Sequence, residues 1–474
     1  MSTATAKKTN IYPWVVVGLL SVVAFLNYLD RQMLATMQGA IGKDIVEISE
    51  KHHLEQMSPE LMQITRRDTT TQKDTTYVIS AQELADSPAP AIMGEAVYSK
   101  TQEEQAKARA AEAFGALMAI FLWIYALISP FAGSVADRLS RKWLIVGSLG
   151  VWSLVTLLMG FCTSYTQIYW LRGLMGISEA LYIPSSLSLI ADYHEGKSRS
   201  LAIGLHMAGL YLGQAVGGFG AIFSDALSWR LVFQGFGLIG VAYAVVLMLV
   251  LKEIRRPAVS CHAGRSGESV KKESILKSFG LIFSNIAFWA ILFFFASTSL
   301  PGWGTKNWLP TLFEGSIDNK MWAGPIATIT IALSSFIGVM FGGPLSDRWV
   351  KKNLKGRIYT SAIGLSLMIP ALLLMGLGHG MVAAIVSGLV FGLGYGMFDT
   401  NNMPILCQFV PARLRATAYG FMNMVGVAMG ALVTTLLGHF SNNLGLCFAI
   451  LGGVTFLALA VQLLVLHPTT DNME

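Results

Sequence analysis

Residues 133–142 read GSVADRLSRK, and the same Gly-x-x-x-Asp-Arg pattern with trailing basic residues returns 210 positions later in GGPLSDRWVKK, residues 342–352. Each copy follows an apolar run of membrane-crossing length and precedes another. A charged motif that recurs at one place in a repeating apolar frame signals duplication, which has to be recognised before any local reading. Two further matches keep the same order: Glu179 with Pro184 against Asp399 with Pro404, and Arg199-x-x-Ala-x-Gly204 against Arg415-x-x-Ala-x-Gly420. The chain is therefore expected to consist of two halves of like design.

The surrounding composition says what is duplicated. Of 474 residues, 53% are hydrophobic and 13% charged, whereas a soluble domain carries roughly a quarter charged residues. Runs of about twenty apolar residues, long enough to cross a ~30 Å hydrocarbon layer, recur at short intervals. Twelve are expected, near 12–38, 112–134, 142–162, 165–192, 199–224, 229–251, 279–309, 322–345, 357–377, 382–409, 413–438 and 444–466, and are called spans 1 to 12 below. The reading is an all-α membrane protein: an N-terminal six-helix half over 1–251, a basic linker over 252–278 and a C-terminal six-helix half over 279–474. The polar stretch before span 1 is too short for a cleaved leader, so span 1 is expected to be retained.

Charge sets the orientation. Alternate loops hold 21 of the 34 Lys and Arg, among them Arg138, Arg141, Lys142 and the linker cluster, while the short loops and helix ends on the opposite side hold Arg230, Lys306 and Lys320. This asymmetry places both termini in the cytoplasm. It also accounts for the net charge of +6 without a nucleic-acid partner. Four cysteines without C-x-x-C spacing give no reason to expect disulfides or zinc, and no cofactor is expected. One insertion, 44–109 between spans 1 and 2, holds 12 acidic and 7 basic residues with few aromatics. It is expected to be a solvated, partly disordered or capping element outside the cytoplasmic face.

Few charges fall where hydrocarbon should be: Asp30 and Arg31 in span 1, Arg172 and Glu179 in span 4, and Asp399 in span 10. A charge at the bilayer centre costs at least ~2.5–3.5 kcal/mol on insertion scales, so such residues face a cavity and pair. Asn27, Tyr28 and Arg31 share a helix face, from which Asp30 turns by roughly 100°. Arg172 and Glu179, two turns apart, project into one groove. An arginine to hold an anion, beside a carboxylate that takes a proton, is a minimal proton–anion symport device. The same residues also admit a bland reading as ion pairs that set helix packing. His206 reads as packing or a hydrogen bond, with a proton-linked role as the alternative, and Lys306 as a snorkelling interface lysine, with an entrance cation as the alternative.

With these motifs in place the chain resembles the major facilitator superfamily, whose signature G-x-x-x-D-R-x-x-R-K matches. NYLDRQ in span 1, R-x-x-x-G-x-x-E-A from Arg172 to Ala180, and WLPT from Trp308 to Thr311 are similar to its anion:cation symporter branch, which includes bacterial hexuronate and galactonate carriers. The resemblance implies Tyr28 and Arg31 at the substrate carboxylate, and Glu179 as proton acceptor with Asp30 supporting coupling. It further implies Tyr125 facing the substrate, and Thr400, Asn402 and Asn423 at the polyol tail, since hydroxyls and amides both donate and accept. Asn27 and Arg172 complete the expected binding set, and Asp399 is a second acidic candidate for coupling. Asp137, Arg138, Arg141, Asp347 and Arg348 are expected to gate the cytoplasmic surface.

The chain departs from the branch at Met207, Leu210 and Tyr211, where uronate carriers tend to have amides or small polar residues. The expected function is proton-coupled symport of a small organic anion such as a sugar acid, by a monomer in a bacterial inner membrane. Spinster-type lipid carriers share N-Y-x-D-R and the ISEALY pattern, and an organophosphate antiporter is a further alternative. An enzyme is not expected, because no metal spacing, nucleophile elbow or P-loop is present; nor is a sensor, because no signalling domain is appended.

Overall fold

The structure is a computed structural model and describes residues 11–47, 61–67, 74–80, 95–194, 197–252, 283–284, 286–410 and 414–468. Among them eleven helices are long and apolar enough to cross a membrane, and a twelfth span forms when Leu201–Gly217 and Gly220–Leu227, bent by 48°, count as one. Span 1 is Tyr12–Thr36, and span 2 lies within Glu95–Arg138. Span 3 is Arg141–Met159 and span 6 is Trp229–Val250. The second half runs through Ile286–Ser316, Ala323–Val350, Gly356–Leu377, a broken span 10, Arg415–His439 and Leu444–Val465. The chain thus adopts, almost throughout, the helical membrane fold expected from the sequence.

Spans 4 and 10 break at equivalent points. Span 4 is Tyr165–Ala180 followed by Tyr182–Tyr193, and span 10 is Gly380–Asp399 followed by Asn402–Phe409. The cause is local. Proline has no N–H for the carbonyl four residues back and its ring crowds that carbonyl, so Pro184 frees Ala180 and Pro404 frees Thr400. The break follows Asp399 directly and follows Glu179 after one further helical residue, Ala180. Both carboxylates consequently stand at helix C-termini, where the negative end of the helix dipole calls for a nearby cation.

Close packing aims these helices. Gly209, Gly213 and Gly217, at four-residue intervals on span 5, lie against the backbone of span 1, and a side chain at Gly213 would collide with the Phe25 carbonyl oxygen. Small residues allow such approach in lipid, where van der Waals contact replaces the hydrophobic effect between helices. Gly388, Gly392 and Gly396 of span 10 meet span 8 in the same way. Spans 1 and 10 are thereby held with their charged faces towards the middle of the molecule.

The two halves meet most firmly at the end that carries the insertion. There Gln32 Nε2 donates to the Lys306 carbonyl at 3.0 Å, Thr311 Oγ1 to Gln38 Oε1 at 2.7 Å, and Thr328 Oγ1 to the Ala215 carbonyl at 3.3 Å. The first bond exists because Pro310 cannot serve the Lys306 carbonyl within its own helix. Gly115 and Gly438 touch backbone to backbone: a Cβ on Gly115 would stand 3.1 Å from the Gly438 Cα. His439 Nδ1 approaches Glu112 Oε1 at 3.3 Å.

The insertion contains ordered backbone that the sequence reading did not name. Strands β1, Leu61–Arg67, and β2, Asp74–Ser80, pair antiparallel from Leu61 opposite Ser80 to Arg67 opposite Asp74. Leu61, Ile64, Thr65, Thr75, Thr76, Tyr77, Val78 and Ile79 suit a pleated surface. Asp44, where the insertion begins, accepts from Trp229 Nε1 at 2.9 Å and pairs with Arg230.

Candidate functional site

Span 1 brings Asn27 and Arg31 onto Glu179 of span 4. Arg31 Nε lies 2.5 Å from Glu179 Oε2, and Asn27 Nδ2 donates to the same oxygen at 2.8 Å. Glu179 is fully buried, while the Arg31 side chain keeps 14% of its surface exposed. Around the guanidinium stand three rings, with Cζ 5.2 Å from the Tyr28 centroid, 4.8 Å from Phe121 and 5.2 Å from Tyr125. Rings at these distances attract a desolvated cation and hold its plane. Arg31 Nη2, Glu179 Oε1 and Asn27 Oδ1 remain without partners, so the cluster has hydrogen-bonding capacity left to give.

Three of the expected residues therefore gather with Glu179 as the helical spacing implied: Asn27, Tyr28 and Arg31 converge, and Tyr125 joins them. Asp30 does turn away. It is buried and accepts from Thr156 Oγ1 of span 3 at 3.2 Å. Arg172, by contrast, makes no ion pair with Glu179 although both lie on span 4. Its Nη1 approaches the Met175 sulfur at 3.0 Å, and its Cζ sits 4.7 Å from the Phe121 centroid. Phe121 thus has both guanidinium groups within 5 Å of its ring centre, a contact that no spacing within span 4 could show.

The polar residues expected at the cargo's tail are placed differently. Asn423 Nδ2 donates to Ser129 Oγ at 2.8 Å, tying span 11 to span 2, and Asn402 Nδ2 donates to Asp399 Oδ1 at 3.3 Å. Thr400, beside the span 10 break, packs against Gly342. None of the three lines the cavity between the halves. That cavity, about 120 Å³, is lined by Tyr28, Met207, Leu210, Tyr211, Gln214, Lys306, Ile331, Ser335, Tyr395 and Asp399. Helix rotation at the Pro404 break decides which face of span 10 looks inward, and the sequence does not carry that rotation.

Lys306 is not at an interface. It lines the cavity with its Nζ 5.0 Å from the Trp303 ring and 5.3 Å from Tyr395. Met207, Leu210 and Tyr211, noted as departures in the sequence, are cavity walls, whereas Gln214 and Tyr395 went unremarked; their only signal was a polar or phenolic group within an apolar span. His206 is fully buried beside Ser186, with Nε2 3.4 Å from its hydroxyl, and does not face the cavity. A second void of about 380 Å³ opens at the insertion end, with Lys43, Asp225, Glu314 and Lys320 among its walls.

At the basic end, Arg141 pairs with Asp192 and donates to the Ser188 carbonyl at 3.1 Å, and Arg357 lies 3.7 Å from Asp347. Each pair stays within one half, so neither bridges the halves in this arrangement. Arg348 is exposed, and the side chains of Asp137 and Arg138 lie outside the described residues. Among the described residues no group of acids, histidines and cysteines is arranged to hold a metal ion.

Residues 20–434 match the model of the Major Facilitator Superfamily. The chain is 28% identical over 284 residues to protein spinster homolog 1 of Xenopus laevis, covering 55% of this chain and 52% of that one; it thus spans about half the length of that relative. It is 25% identical to the D-galactonate transporter of Escherichia coli O6:H1, covering 70% of this chain and 81% of that protein. A cis,cis-muconate transport protein of Acinetobacter baylyi is 26% identical, over 69% and 78% of the two chains. The structure superposes with a TM-score of 0.67 on a bacterial Spinster homolog solved inward-facing and occupied, at 17% identity and covering 98% of this chain and 99% of that one.

Proposed function

The chain belongs to the Major Facilitator Superfamily and is a membrane transporter rather than an enzyme, and we propose that it carries a small organic anion of the sugar-acid class together with protons. The observation that carries this reading is the Arg31–Glu179 pair: a permanently charged fork, stacked among three rings, is closed by one buried carboxylate. Proton and cargo then compete for linked positions. A proton on Glu179 removes the ion pair and frees the guanidinium, whose bidentate geometry fits a carboxylate. A monoanion that enters with one proton leaves the net charge of the buried cluster unchanged, and charge is what a low-dielectric interior resists most.

In the proposed cycle, Glu179 takes its proton from the insertion side, the anion binds Arg31 with Tyr28 and Tyr125, and the halves rock to release both at the basic end, which is cytoplasmic by the distribution of Lys and Arg. Kinship with a galactonate carrier at 25% identity supports the cargo class. The test is uptake of galactonate into proteoliposomes under an imposed pH gradient. The wild type is expected to accumulate it, and Glu179→Gln to exchange it without accumulation. Gradient-driven accumulation by Glu179→Gln would remove the proton role.

A second reading, a carrier of lipid-like anions, draws on the apolar wall of Met207, Leu210 and Ile331 and on the 28% identity to a spinster homolog. Stabilisation by lysolipids in place of sugar acids would select it, since a ligand that binds only the folded state raises apparent stability.

A further inference from the structure

The C-terminal half repeats the charged constellation of the N-terminal half. Span 7 stands to its half as span 1 does to the other, and in each an aromatic residue precedes a cation by three: Tyr28 and Arg31, Trp303 and Lys306. Both cations lie over that ring, at 5.2 Å and 5.0 Å. Each half then supplies one carboxylate, Glu179 or Asp399, in the last two helical residues before a proline-driven break in its fourth span. Arg31 and Lys306 stand further apart in sequence than the loop motifs by about the length of the insertion, which is why the loop offset does not reveal the correspondence.

The two copies differ in one respect. Arg31 and Glu179 are bonded and Glu179 has no exposed surface. Lys306 and Asp399 make no ion pair with each other, and both front the cavity of about 120 Å³, with Asp399 open to it. That space has room for several waters or the end of a polyol.

We infer that Lys306 and Asp399, with Gln214 and Ser335, form a second subsite that binds the uncharged hydroxylated end of the cargo. This rests on the sugar-acid reading above and names the residues that meet the tail. A hydroxyl accepts from the ammonium and donates to the carboxylate at once, which neither a second carboxylate nor an ammonium can do. The tyrosines at 28, 211 and 395 supply flat apolar surface for the C–H faces of the chain. Because the pair is neutral overall, the subsite favours no net charge at the tail, and it penalises a tail that brings one.

Charge-altering variants should therefore move selectivity in opposite directions. Purified protein is titrated with galactonate, galactarate and 6-amino-6-deoxygalactonate, which share a backbone and end in hydroxyl, carboxylate and ammonium. The wild type is expected to bind galactonate best. Asp399→Asn leaves an uncompensated cation and is expected to shift the galactarate-to-galactonate ratio of affinities upward by about tenfold or more. Lys306→Gln is expected to shift the ratio for the amino compound upward instead, and the double variant, neutral again, to return towards the wild-type order. Equal loss of all three ligands in both single variants, or unchanged ratios, would overturn the subsite while leaving the anion site at Arg31 intact. Failure of the wild type to bind any of the three would overturn the sugar-acid reading and the subsite together.

Discussion

The N-terminal site is closed on itself and the C-terminal site is not. Arg31 and Glu179 are bonded at 2.5 Å with Asn27 as a second donor, whereas Lys306 is held by rings and Asp399 by one amide. The same parts, cation, aromatic and proline-terminated carboxylate, thus serve two ends. In the proposed cycle the closed pair keeps its charges matched until a proton arrives, and the open pair offers both of its charges to a ligand. Duplication supplied the parts, and small differences in reach decided their use: a guanidinium presents two edges to a carboxylate, while an ammonium is a compact point.

The largest effect should come from breaking the closed pair. Arg31→Ala leaves Glu179 buried without its cation, which costs about 3–5 kcal/mol. The expected outcome is a much lower melting temperature in detergent together with loss of galactonate uptake. Lys306→Ala, tested alongside, should lower the melting temperature far less, because Asp399 is open to the cavity. Equal destabilisation by the two would show that the C-terminal pair is closed as well.

A smaller effect is expected where the halves touch. Gly115→Val places methyl groups where even a Cβ stands 3.1 Å from the Gly438 Cα, and overpacking of this kind costs about 1–3 kcal/mol. The strain falls on the arrangement that is closed at the insertion end. Labelling of a cysteine placed at Gln38 should become faster in Gly115→Val than in its absence.

The smallest concerns Asn423. Its bond to Ser129 joins spans 11 and 2, and hydrogen bonds between membrane helices average about 0.6 kcal/mol in double-mutant cycles. Asn423→Ala should change stability by about that amount and galactonate affinity by less than threefold. A loss of tenfold or more would return Asn423 to the cargo's tail, where its sequence position had suggested it.

Much of this is legible in the sequence alone. Apolar length gives the spans, and i,i+4 spacing puts Asn27 and Arg31 on one face, where they meet Glu179. The cost of burying Glu179 demanded a partner, and Arg31 is it. What could not be read depends on rotation between helices. Arg172 and Glu179 share a helix face, yet Arg172 goes to Phe121 of span 2, a neighbour that no periodicity identifies. Thr400 and Asn402 straddle the break made by Pro404, and a break reorients every residue beyond it. A place near a span end makes Lys306 look like an interface residue, whereas Pro301 and Pro310 within its helix are the sign in the sequence that its surroundings are not ordinary helix.

Pro310 has one more effect. Because it leaves the Lys306 carbonyl to Gln32 of the other half, the residue whose ammonium faces the cavity is also the one whose peptide group fastens the insertion end shut. A shift of that one backbone segment therefore moves a wall of the cavity and the seam between the halves together.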